Sequence, residues 1–208
     1  SFLSNTSGTY GGGIFVISTT NITGTTFLGN TAVQYGGGAS IGGSTSIIGT
    51  SFLSNTSNTS GGGMYVLGET SLIRTIFHNN SAVTGDGGGA YVNYVASIVE
   101  TSFLSNTAGV DGGAVWLGLA SITKTSFLSN TAGNSGGGVF VSYDASIAQT
   151  TYFSNTAGMQ GGGAYVSGLA SITGTGFLSN TAGDFGGGSY VGGAANITGT
   201  TFLSNTAG

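Results

Sequence analysis

Apolar positions along this chain alternate in short bursts that are punctuated by glycine runs. After each run, as in GGGAYV at residues 161–166, the pattern has period two. The residue following the glycines (Ile14, Ala39, Met64, Ala90, Val115, Val139, Ala164, Ser189) and the one two further on (Val16, Ile41, Val66, Val92, Leu117, Val141, Val166, Val191) should face one side of a strand, into a core. A second short segment centres on Ile22, Ile47, Leu72, Ile98, Ile122, Ile147, Ile172 and Ile197, and a third on an aromatic at Phe2, Phe27, Phe52, Phe77, Phe103, Phe127, Tyr152, Phe177 and Phe202. No period of 3.6 holds, and Gly, Thr, Ser, Asn and β-branched residues dominate, so strands and turns are expected in place of helix.

The aromatic recurs every 25 residues, with one interval of 26 and one of 24. A fixed period of this size marks a solenoid, in which each repeat buries its apolar face only against its neighbours. The expected fold is all-β: a parallel β-helix of three short strands per coil, about eight coils, and one continuous repeat region over residues 1–208. At about 4.8 Å per coil this is a rod on the order of 40 Å long. The extra residue falls in NSAVTGDGGG and the missing one in WLGLASI, so turns absorb both changes. Neither end leaves the repeat's phase or adds charge, so the ends are expected to be uncapped. The stretch then reads as a segment of a longer solenoid or a subunit whose ends stack.

Three residues after the aromatic comes an asparagine: Asn5, Asn30, Asn55, Asn80, Asn106, Asn130, Asn155, Asn180 and Asn205. Asparagine tolerates the left-handed conformation of a tight corner, and stacked amides can hydrogen-bond between coils, so an Asn ladder is expected there. Three residues before the aromatic, Arg74, Glu100, Lys124 and Gln149 occupy one column in successive coils where the others carry Gly. That position must face water, which places the next column (Thr25, Thr50, Thr75, Thr101, Thr125, Thr150, Thr175, Thr200) at or inside the corner.

Composition narrows the function. The chain has 43 Gly, no Pro, no Cys, only 4% charged residues and a net charge of −4. Two basic residues supply no patch for a phosphate backbone, so nucleic acid is not an expected partner. No apolar run approaches the roughly 20 residues of a spanning helix.

The paired motifs FLSN and GGGAYV or GGAVWL resemble the F-x-x-N and G-G-A-[ILV] repeats of chlamydial polymorphic membrane proteins and related bacterial surface and filament proteins, over the whole chain. The resemblance implies a right-handed parallel β-helix displayed outside a bacterial or archaeal cell, often adhesive.

Groups for catalysis are sparse. Asp86 and Asp111 each directly precede the glycines in adjacent coils, which makes them a candidate cation or acid/base pair. Asp is equally a preferred turn residue, and no His or basic residue joins the column, so neither an enzyme nor a cofactor is expected. His78 replaces Leu after the aromatic and reads as a surface residue. Thr-x-Thr pairs at Thr23, Thr123, Thr173 and Thr198 invite an ice-binding reading, but an outward Lys124, Arg74 or Glu100 between such residues turns the flanking Thr away from a flat outer array.

Two surface columns stand out. Phe15, Tyr65, Tyr91, Trp116, Phe140, Tyr165 and Tyr190, with Ser40 as the exception, lie between the two inward columns and should face out. Leu3, Leu28, Leu53, Leu104, Leu128, Leu178 and Leu203 follow the core aromatic and should also face out. Exposed apolar stripes usually mark a contact, although stacked rings also stiffen a sheet with no partner. The expectation is an extracellular filament, sheath or stalk that associates with itself end to end or laterally; the alternative is an adhesin binding a host surface or glycan through these stripes.

Overall fold

The computed structural model covers residues 1–208 and consists of strands and turns only, without a helix long and apolar enough to cross a membrane. Coils of about 25 residues stack as a β-solenoid. Every ladder is parallel and in register one repeat apart, so that Phe27 pairs with Phe52 and Phe52 with Phe77.

One coil illustrates the rest. Its strands are Ser51–Leu53, Thr56–Ser57, Met64–Val66 and Thr70–Ile73. The two-residue strand after the asparagine is a fourth segment that the apolar pattern does not announce. Across coils, the aromatic strands form one nine-stranded sheet and these short strands another, while the glycine and isoleucine strands share a fourteen-stranded sheet. The short strand turns Ala32, Ala82, Ala108, Ala132, Ala157 and Ala182 inward as a further buried column, with Ser57 in the remaining inner coil.

The expected core columns are buried in the inner coils, and Phe27, Phe52, Phe77, Phe103, Phe127, Tyr152 and Phe177 have no accessible surface. Their rings stack, with centroids 4.7–5.0 Å apart and planes within 2–5°. Each such pair contributes about 0.5–1.5 kcal/mol beyond its buried area. The glycine runs let coils come this close: a Cβ on Gly37 would lie 2.2 Å from the Gly62 carbonyl oxygen, and one on Gly38 would lie 3.0 Å from the Phe52 ring.

The asparagines form the expected ladder, buried throughout the inner coils. Asn106 Nδ2 donates to Asn130 Oδ1 at 3.0 Å and to the Phe77 carbonyl at 2.9 Å. Its Oδ1 accepts from the Asn80 backbone N–H at 3.0 Å and from Asn80 Nδ2 at 2.9 Å. Both amide hydrogens and both oxygen lone pairs are thus used. The left-handed residue of this corner is not the ladder asparagine, however. It is the small residue before it, such as Ser54 (φ 52°), Ser105 (φ 53°) or Ser129 (φ 54°). The turn is made at an outward position, which leaves the asparagine free to point inward and reach the next coil.

The opposite corner follows the same logic. Arg74, Glu100, Lys124 and Gln149 are exposed at φ 49–52°, where Gly24, Gly49, Gly174 and Gly199 stand in other coils. The threonine that follows is buried in the inner coils and forms a second polar ladder. Thr75 Oγ1 donates to the Ile73 carbonyl at 3.2 Å, and the Thr75 N–H donates to Thr101 Oγ1 at 3.4 Å. The missing residue appears as a register shift between Val92 and Val95 against the shorter coil. There the glycine and isoleucine strands run on as Ala90–Val99 and Val115–Thr123.

Two substitutions probe the interior. Asn106→Ala strands several buried hydrogen-bonding groups on Asn80, Asn130 and Phe77, each worth about 1–3 kcal/mol when unpaired. Denaturant unfolding should show a loss of roughly 2–5 kcal/mol. Tyr152 carries a fully buried hydroxyl with no hydrogen-bond partner in the ring stack. Tyr152→Phe removes that orphan and should stabilise the protein by about 1 kcal/mol in the same measurement.

Candidate functional surfaces

The outward aromatic column is present and is more continuous than its sequence. Rings from Tyr65 through Tyr91, Trp116, Phe140 and Tyr165 to Tyr190 stack at 4.5–6.0 Å with interplanar angles of 6–11°. Ser40 leaves a gap in register between Phe15 and Tyr65. Tyr35 fills it from the preceding loop, stacking on Tyr65 at 4.6 Å and on Tyr10 at 5.7 Å, and Tyr10 in turn meets Phe15 at 5.6 Å. The signal for this was an aromatic directly before the glycine run, a loop position that strand alternation does not address.

Stacking along the axis decides what this rail offers. The ring faces lie against one another and the edges face solvent, so from Tyr65 to Tyr190 the rings are half-buried. A sugar stacks on a ring face, and those faces are occupied. Burial pushes the Tyr91 hydroxyl up to about 12, with the neighbouring Tyr65 and the Asp86 charge adding to it.

The leucine column lies on the outer side of the aromatic sheet. Leu3 is 57% exposed, Leu28 42% and Leu203 59%; Phe153 joins the same column at 45%, and His78 is exposed within it. Small residues such as Ser102 and Ser126 run beside it, and the Arg74, Glu100, Lys124, Gln149 corner bounds the sheet on that side.

A third surface was not evident from the pattern. Where the glycine and isoleucine strands meet, Ile17, Leu67, Tyr94, Val95, Leu119, Tyr143 and Leu169 are exposed. Three shallow recesses of about 680, 390 and 360 Å³ share Val95 in their walls and make one trough along the fourteen-stranded sheet. One end is apolar, around Leu119, Leu169 and Ala195; the other is lined by hydroxyls of Ser44, Ser46, Ser71 and Ser97 beside Glu69. Gly42, Ser44 and Asp144 interrupt these columns, which hides the trough from a reading of periodicity.

Asp86 and Asp111 tie coils together. Asp86 Oδ1 accepts the Asp111 N–H at 3.0 Å, and Asp111 Oδ1 accepts the Ser135 N–H at 2.9 Å. Ser60 Oγ receives the Asp86 N–H at 3.2 Å, which completes a chain of side chains capping the loop of the next coil. Asp144 does the same elsewhere, accepting the Leu169 N–H at 2.8 Å. No group of three or more His, Cys, Asp or Glu side chains gathers anywhere in the fold. In the Thr-x-Thr pairs one member is the ladder threonine, buried at Thr125 and Thr175 and half-buried at Thr25 and Thr200, so these pairs form no flat outward array.

Burial pushes both Asp86 and Asp111 above the ordinary aspartate value, against the backbone N–H groups that lower them; the Asp86 charge raises Asp111 further. A carboxyl raised in the folded state favours folding most when protonated. Its contribution is complete below the ordinary value of 3.8 and declines as pH rises through the raised folded values. Asp86→Asn with Asp111→Asn keeps an oxygen acceptor in each place and removes the charge. The double variant should melt higher than the parent at pH 7, with the difference closing as the pH falls to about 3 in a calorimetric pH series.

No protein family, curated protein or solved structure matches the chain.

Proposed function

We propose that this chain is a structural β-solenoid of an extracellular filament, sheath or stalk, and that it associates with itself. The observation that carries this reading is the axial commitment of its chemistry. The amides, the core rings and the outer rings all bind the coil above and the coil below, and the carboxylates of Asp86 and Asp111 cap neighbouring loops. Such a body resists bending and pulling along its axis, which suits load-bearing more than turnover. The resemblance to bacterial surface and filament repeats supports an exterior location.

A second reading, an adhesin that binds a glycan or host surface, is favoured by the trough and its hydroxyl-lined end, not by the aromatic rail whose ring faces are covered. Electron microscopy of the purified protein separates the two. The structural reading expects laterally associated rods, and Leu104→Ser with Leu128→Ser should reduce them to single-solenoid width. Rods of single width before any substitution, together with surface binding that is lost in Leu119→Asp with Leu169→Asp, would establish the adhesin reading instead.

A further inference from the structure

On the outer face of the aromatic sheet and at its corner, two columns carry departures from the repeat that are arranged symmetrically, although the neighbouring column, with Ile76 and Gly176, does not share the symmetry. The stripe column runs Leu53, His78, Leu104, Leu128, Phe153, Leu178. About the level midway between Leu104 and Leu128, the two non-leucine members are images of each other, and Leu53 is the image of Leu178. The corner column at the edge of the same sheet runs Arg74, Glu100, Lys124, Gln149, with Gly49 before it and Gly174 after it. About the same level Glu100 is the image of Lys124, and Arg74 that of Gln149.

A two-fold axis that lies between two facing sheets and runs perpendicular to the solenoids reverses the order of coils and keeps each charged corner on the same edge. Such an interface uses one patch on both copies. We propose that this sheet docks face to face on the same sheet of a second copy, antiparallel, with the two-fold axis level with the midpoint between Glu100 and Lys124. This rests on the reading that the leucine stripe mediates lateral association, and it adds the partner's orientation and register.

In this register Glu100 of each copy faces Lys124 of the other, Arg74 faces Gln149, and His78 faces Phe153. Shifting the axis to the level of Glu100 sets Glu100 against Glu100 and Arg74 against Lys124, so every charged pair repels. Shifting it to the midpoint of Arg74 and Glu100 restores opposite charges but sets Lys124 against Gly49 and His78 against Leu104. A parallel arrangement puts the charged corners on opposite edges. Charge of this kind selects register and orientation more than it adds affinity.

The contact is small. Eight coils at about 4.8 Å and three residues at about 3.3 Å give roughly 400 Å² per copy, about half of what a stable complex usually buries on each partner. Association should therefore be weak and visible only at high protein concentration.

The test is sedimentation equilibrium of the 208-residue chain at high concentration, with the cross-section from small-angle scattering to separate lateral pairs from end-to-end growth. Glu100→Lys alone and Lys124→Glu alone should each weaken pairing by about tenfold, since each turns two attractions into two repulsions. The Glu100→Lys, Lys124→Glu double variant should recover it, because the swapped charges still face each other. Both charged sites are exposed, so melting temperatures should hold and confirm the fold. If Leu104→Ser dissociates the pairs while the charge reversals leave them intact, the register is wrong and lateral association through the stripe stands. Single variants that weaken pairing without recovery in the double variant also overturn the register. A chain that never associates laterally removes both.

Discussion

The spacing between coils governs this molecule. A parallel β-ladder sets neighbouring backbones about 4.8 Å apart, and that distance is also tolerable for offset-stacked rings and for a chain of primary amides. The inner rings, at 4.7–5.0 Å, and the asparagine amides, with bonds of 2.8–3.0 Å, obey the backbone without distorting it. A residue can join such a stack only if the coils on either side carry something alike. Repetition in the sequence is therefore a condition of stability here, and the few departures stand out: Tyr152 buries an unpartnered hydroxyl in a phenylalanine column, and Ser57 does so in an alanine column.

This is why most of the fold was legible from residue spacing. The core columns, the Asn ladder and the exposed charged corner each repeat a residue type at a fixed phase, and a phase error would have buried Arg74 or Glu100. The signals that failed were those carried by too few residues or by loops. The Thr–Ala strand is two residues long and its only apolar member is alanine, so neither period nor hydrophobicity reveals it. Conformational tolerance points to asparagine as the left-handed residue of the corner. The structure instead places serine there, because the asparagine side chain is needed inside. Tyr10 and Tyr35 lie outside the strands whose alternation defined the aromatic column, and only their proximity to Tyr65 shows that they belong to it. The trough arises from the angle between two strands, which no linear pattern encodes.

The division of labour between inside and outside is uneven. Nearly every conserved chemical type within the repeat serves cohesion along the axis, including groups that look available for chemistry, such as Asp86, Asp111 and the outer tyrosines. What remains free to vary is the outer side of the aromatic sheet, its charged corner and the trough. The missing residue falls beside the trough as well, where the two long strands replace a corner and Val95 and Leu119 come to the surface. Variation is concentrated where coil-to-coil stacking does not forbid it.

The Asn ladder has one more property. Every amide in it donates toward the next coil and accepts from the previous one, so all of them point the same way along the rod. An amide group carries a dipole of about 3.5 D, and dipoles aligned head to tail add. Backbone dipoles in sheets largely cancel by alternation; this column does not. A rod with few charges thus acquires a small permanent electrical polarity, positive where the amide hydrogens lead and negative where the oxygens trail. Its two ends are physically unlike even where their residues are nearly the same.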